Sequence, residues 1–190
     1  MLILASSSPY RRALLQQLGQ PFVTDAPQLD ETPLPGESPR ATSQRLAREK
    51  AQKVGQRHPQ DLIIGCDQVA VLGADIMDKP VTHERAVAQL QRASGQLMQF
   101  HTALCLLNAR TGQLHQECLL VQVRYRTLDA GQIERYLRTD RPYDCAGSTK
   151  IEAFGITIVE SVDCPDPTAL IGLPLITLTR LLAQEGISLP

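Results

Sequence analysis

The chain contains no tryptophan, and aromatic residues make up only 4% of it. A protein that grips single-stranded nucleic acid by stacking bases on aromatic rings would need more of them. Charge of one sign is also missing: nineteen Lys and Arg stand against twenty Asp and Glu, a net charge of −1. That excludes a strongly basic nucleic-acid binder, though not a local basic cleft. No apolar run approaches the ~20 residues that span a bilayer. The longest, around Leu170–Leu178, is broken by Gly172 and Pro174. The N-terminal stretch is not a signal peptide, because its apolar part is short and Arg11 and Arg12 follow it instead of preceding it. The five cysteines are scattered and form no Cys-x-x-Cys pair. Neither a zinc site nor a disulfide framework is expected, and they read as reduced, small core hydrophobes of a cytoplasmic protein.

What is present is ordinary for a globular chain: 190 residues, 43% hydrophobic and 21% charged. A chain near this length buries about 70% of its unfolded surface, enough for one domain or one two-lobed unit. Strand signals fall at Leu2–Ala5 and Phe22–Thr24. Ser8-Pro9 and Ser38-Pro39 each pair an N-cap with proline at the first helical position. The first helix carries Leu14, Leu15 and Leu18 and stops at Gly19; the second would bury Leu46, Ala47, Lys50, Ala51 and Val54. Between them, Ala26–Ser38 is rich in proline and acidic residues and reads as a long loop. Leu62–Cys66 and Val69–Leu72 read as two buried strands interrupted by the polar pair Asp67-Gln68. Thr82 caps a helix through Gln91, and Met98–Leu107 with Leu114–Arg126 forms a hairpin. Asp129 and Gln132 resemble a capping box, Ile156–Val159 is a strand, and Pro174–Gln184 is a closing helix whose apolar face suits a homodimer or the core equally well. The class is α/β or α+β with a mixed sheet.

Several polar groups sit awkwardly for a purely structural role. Ser6 to Arg12 carries a strand end into a helix start, which is an anion site if its N–H groups are free, or a capped helix with solvated arginines if they are not. Asp67 follows a buried strand, where a carboxylate holds a divalent metal, activates water or closes a turn. Lys50 either snorkels to solvent from its apolar face or reaches a polar cleft. Lys79 stands before Pro80, and Glu31 lies on the long loop. Carboxylates and cations mixed in this way suit a polyphosphate with a divalent ion. His58, His83, His101 and His115 match no nucleophile motif and read as surface or satisfied histidines.

Ala5–Arg12, Asp30-Glu31-Thr32, Ala47–Ala51, Gly65–Val69, Lys79-Pro80, Cys145–Ser148 and Ile171–Leu175 stand in the order seen in Maf proteins, over nearly the whole chain. The resemblance implies a single domain over residues 1–190. Its fold would be an elongated α/β structure similar to inosine triphosphatases, a mixed twisted sheet flanked by helices with a cleft between two lobes. It implies a nucleoside triphosphate pyrophosphatase that cuts between the α and β phosphates with a divalent cation, Mg²⁺ or Mn²⁺. On this reading Asp67 is the catalytic aspartate, as base or as metal ligand; Ser6, Arg11, Lys50 and Lys79 hold phosphates; and Glu31 joins Asp67 at the metal. Tyr10, Gln68 and Glu152 match the subfamily that hydrolyses 7-methyl-GTP, with Tyr10 where Trp is common and Ala153 where Gly is usual. An aromatic face attracts the cationic methylated guanine, and a carboxylate accepts from its N1–H and N2–H₂. The alternatives are a Maf enzyme acting on dTTP, UTP or another modified nucleotide, and a nucleotide-binding regulator of septum formation.

Overall fold

Leu2–Ala5 forms the first strand, β1, and is buried along its whole length. Successive side chains of a strand point to opposite faces, so a strand apolar throughout needs cover on both. The computed structural model, which describes residues 1–189, supplies that cover. Leu2 and Leu4 pack with Leu14 and Leu15 of helix α1 (Pro9–Gln16) and with Leu178, Leu181 and Leu182 of helix α5 (Leu175–Gln184). Ile3 and Ala5 turn the other way, onto Ala47, Ala51 and Val54 of helix α2 (Pro39–Gly55). The apolar face of α5 therefore lies in the core.

The remaining elements are strands β2 (Phe22–Thr24), β3 (Leu62–Leu72), β4 (Asp75–Ile76), β5 (Leu97–Asn108), β6 (Leu114–Tyr125) and β7 (Val159–Asp163), with helices α3 (His83–Ala93) and α4 (Ala130–Asp140). They build a seven-stranded mixed sheet ordered β2-β1-β3-β5-β6-β7, with β4 against β3. β1 runs parallel to β2 and β3, whereas β4 and β7 run antiparallel to β3 and β6. Contacts divide the chain into two compact units. The first holds Met1–Gln68, Thr102–Leu119 and the segment from Asp166 onward; the second holds Val69–His101 and Leu120–Pro165. In the second unit α3 packs on α4, and Met77, Leu90, Met98, Phe100, Tyr125, Tyr136 and Leu137 are buried.

Ser8 and Ser38 cap their helices ahead of proline, Thr82 caps α3, and Asp129 with Gln132 closes a capping box at α4. Two expectations change. Asp67-Gln68 does not interrupt a strand pair: β3 runs unbroken through it, because both side chains find polar partners at the strand's two faces. Ile156–Val159 is not a strand: Phe154–Ile158 forms a short 3-10 turn, and β7 begins at Val159. All five cysteines are free thiols, Cys66 and Cys105 fully buried and the others partly so. Burial pushes the thiol of Cys66 up to about 11 and that of Cys105 to about 12. No helix among the described residues is long and apolar enough to cross a membrane.

Candidate active site

The parallel pairing of β1 with β3 ends at Ala5 opposite Gly65. In open α/β sheets ligands gather beyond the carboxyl ends of parallel strands, and Ser6 and Asp67 follow directly there. Alternation along β3 puts Ile63, Gly65 and Asp67 on the α2 face and Ile64, Cys66 and Gln68 on the opposite one. Gly65 lets α2 lie close against the strand: a Cβ there would stand 2.1 Å from the Ala47 carbonyl oxygen and 2.9 Å from the Ala51 nitrogen.

That close approach delivers Lys50 to Asp67. Lys50 Nζ donates to Asp67 Oδ1 at 2.7 Å and stands 2.9 Å from Glu31 Oε1. Both Lys50 and Asp67 are 5% exposed, whereas Glu31 reaches in from the solvent side. The lysine predicted on an apolar helix face thus reaches a polar site, and one ammonium gathers two carboxylates.

Glu31 arrives there because its loop is strapped to α2 by Arg45, which sequence reasoning missed. Arg45 Nε and Nη2 grip the two carboxylate oxygens of Glu37, each at 2.8 Å, and Nη2 also donates to the Thr32 carbonyl at 3.1 Å. Glu37 further accepts from the Leu34 N–H and the Thr42 hydroxyl. The fork holds the Glu37 carboxyl down at about 2 and pushes Arg45 above its ordinary value. Glu37 is lower in the folded chain than its ordinary 4.5, so its contribution is complete above that value and lost as pH falls towards about 2. Arg45→Met is expected to lower the thermal midpoint, with a difference from wild type that is constant between neutral pH and the ordinary carboxylate range and shrinks at more acid pH. Thermolysin should also cut before Leu29 faster in the variant than in wild type at neutral pH; equal rates would mean that the strap does not hold the loop.

At the start of α1, the Ser6 hydroxyl accepts from the Ser8 N–H at 3.1 Å, which does not use its own hydrogen. The Ser8 hydroxyl accepts from the Arg11 N–H at 3.3 Å as N-cap. Arg11 Nε donates to the Gly172 carbonyl at 3.0 Å, so its two terminal nitrogens remain for an anion. Cys66 Sγ donates to the same carbonyl at 2.8 Å. Gly172 adopts φ +115°, a conformation that side-chain-bearing residues avoid. The Ile171–Leu175 motif is therefore a support for Arg11, a role that its residue types alone do not disclose.

Gln68 is fixed on the other face of β3. Its amide nitrogen lies 2.9 Å from Thr102 Oγ1, 3.0 Å from the Ala169 carbonyl and 3.1 Å from the Leu170 carbonyl. The amide nitrogen is turned into the fold, so the oxygen is the atom that Gln68 offers outward. Tyr10, in the first turn of α1, is half-buried.

Lys79 and Glu152 belong to the second unit. Lys79 is exposed on the loop after β4. Glu152 lies in the turn before Phe154. Glu152 is exposed overall, and partial desolvation of its carboxyl pushes it above the ordinary glutamate value; Asp140 and Asp144 add to that, while its backbone N–H and Lys150 oppose it.

Among the described residues no group of three or more His, Cys, Asp or Glu side chains converges as a preformed metal cage. Two carboxylates without a third suit a hard oxygen-seeking cation that takes its other ligands from phosphates and water. The histidines have local partners: His58 meets Asp25, His83 meets Tyr143 and Glu134, and His115 meets Glu185.

A family model described as Maf-like protein matches residues 1–185. A 7-methyl-GTP pyrophosphatase of Thiobacillus denitrificans is 54% identical over 186 residues, covering 98% of this chain and 92% of the relative. One from Aromatoleum aromaticum is 52% identical over 189 residues, covering 100% and 97%. One from Pseudomonas syringae pv. tomato is 51% identical over 189 residues, covering 100% and 98%. With a family match over nearly its whole length and relatives at this identity, the chain belongs to the Maf family.

Proposed function

We propose that this protein hydrolyses 7-methyl-GTP to 7-methyl-GMP and pyrophosphate; its relatives are named 7-methyl-GTP pyrophosphatase. The observation that carries the reading is the buried Lys50–Asp67 pair, joined by Glu31, beyond the carboxyl ends of the parallel strands. Water attacks the α phosphorus, the bond from that phosphorus to the bridging oxygen breaks, and the oxygen leaves with pyrophosphate. Asp67 orients the water and takes its proton, or holds the cation beside it. Lys50 balances the carboxylates before substrate binds and the phosphates afterwards. Arg11, Ser6 and Lys79 hold phosphate oxygens. Glu31 and Asp67 are the donors for Mg²⁺ or Mn²⁺, and a bound cation would offset the charge building on the leaving pyrophosphate. The free thiols support a place in the cytoplasm.

Base recognition rests on three residues. Tyr10 offers a ring face to the cationic methylated guanine. Gln68, with its amide nitrogen tied inward, is an acceptor toward the substrate. Glu152 accepts from the guanine donor edge and offsets the ring charge. Thymine and uracil have neither that paired donor edge nor the charge.

The test is pyrophosphate release with Mg²⁺ across 7-methyl-GTP, GTP, dTTP, UTP and CTP. The expected result is a strong preference for 7-methyl-GTP, weakened more for that substrate than for dTTP in Tyr10→Ala. Preference for dTTP or UTP would overturn the base reading. The raised Glu152 carboxyl adds a pH signature, because acid neutralises Glu152 earlier than an ordinary glutamate. KM for 7-methyl-GTP should rise as pH falls through that titration, and Glu152→Gln should show a high KM without that limb.

A further inference from the structure

We infer that Gln89, on α3, is a positioning residue for Lys79 and that the Cys145–Ser148 motif is the anchor it works from. This rests on the reading of Lys79 as a phosphate ligand. The loop from Met77 to Val81 carries Lys79 and is tied down on either side of it. The Gly147 N–H donates to the Met77 carbonyl at 3.0 Å, and Gln89 Nε2 donates to the Asp78 carbonyl at 2.8 Å. After Lys79, the Thr82 N–H returns to the Pro80 carbonyl at 2.7 Å and the Val81 N–H donates to the Tyr143 carbonyl at 3.0 Å. Val81 is thereby the centre of a γ-turn with φ +66°. A β-branched residue is strained there, and such a conformation persists where its surroundings over-determine it.

Gln89 is itself held. Its Oε1 accepts from the Ser148 hydroxyl, which fixes the amide so that the nitrogen faces Asp78. Ser148 is fully buried with φ +56°, and its carbonyl accepts from the Tyr136 hydroxyl at 3.1 Å. Gly147 precedes it with φ +67°, where a Cβ would stand 2.6 Å from Met98 Sδ. Two consecutive residues in the left-handed region thus serve one purpose: they aim the Gly147 N–H at Met77 and the Ser148 hydroxyl at Gln89. The backbone beside Lys79 is set by this relay, and a small displacement of a charged group costs rate steeply.

The test is a double-mutant cycle on 7-methyl-GTP hydrolysis with Gln89→Met, which keeps the side chain's length and removes both hydrogen bonds. Gln89→Met is expected to lower kcat/KM about tenfold in the wild-type background and hardly at all in Lys79→Ala. Amide exchange at Val81, read independently of activity, should speed up in Gln89→Met. Gln89→Glu, which cannot donate to Asp78, should behave as Gln89→Met does. An equal loss in both backgrounds would make Gln89 merely structural and overturn the inference, as would unchanged kcat/KM in folded Gln89→Met. Wild-type activity in Lys79→Ala would instead remove Lys79 from phosphate binding, and the inference with it.

Discussion

Asp67→Asn is expected to lower kcat by about 10²–10⁴-fold, the range over which a positioned general base contributes, while the chain stays folded. The change keeps the side chain's shape and an oxygen that can still accept from Lys50, and it leaves Glu31 to balance the ammonium. An ion pair becomes a hydrogen bond from the ammonium to an amide oxygen, at a cost of about 1 kcal/mol, or roughly 2–4 °C in a chain of this size. The far larger kinetic loss comes from removing the buried carboxylate of β3, which on the proposed mechanism takes a proton or holds a cation. A Mg²⁺ titration of the variant separates those two roles. If Asp67 is the base, excess metal restores nothing. If it is chiefly a ligand, higher metal recovers part of the rate. Hydrolysis at the wild-type rate by folded Asp67→Asn would remove Asp67 from the mechanism.

How Asp67 comes to its place beside Lys50 was only half legible in the sequence. The residue type, after an apolar run, marked a candidate; the dipeptide Asp67-Gln68 suggested a break in the strand. Alternation predicts that neighbouring polar residues in one strand face opposite ways, and that is what β3 does, but whether each finds a partner depends on elements far away in sequence. Lys50 lies 17 positions before Asp67, and the Ala169 carbonyl lies 101 positions after Gln68. Local signals fared well where the physics is local: serine before proline starts two helices, Thr82 caps a third, and Asp129 with Gln132 caps a fourth. The strand expected at Ile156–Val159 failed because apolar runs of that length do not distinguish a strand from a tight turn. Arg45, Gln89 and the role of Gly172 within its motif were missed for a different reason. Each acts by holding a backbone carbonyl or presenting one, and residue type carries almost no information about which carbonyl lies nearby.

Lys50→Met is expected to abolish measurable turnover and, unlike Asp67→Asn, to damage the fold. It strands the Asp67 carboxylate in a place that is 5% exposed, with Glu31 as its remaining charged neighbour and of the same sign. Removing one partner of a buried ion pair costs about 3–5 kcal/mol, which at roughly 2–4 °C per kcal/mol lowers the thermal midpoint by about 6–20 °C. Glu31 accounts for little of this, because it is half-exposed and water replaces the lost ammonium there. The double variant Lys50→Met/Asp67→Asn should therefore melt higher than Lys50→Met alone while remaining inactive: neutralising the stranded carboxylate repairs stability without restoring chemistry. This sign reversal follows from the geometry of one ammonium between two carboxylates, and thermal unfolding of the two single variants and the double variant reads it directly. If the two single costs simply add in the double variant, Lys50 and Asp67 do not act as a pair, and the site is not built around them.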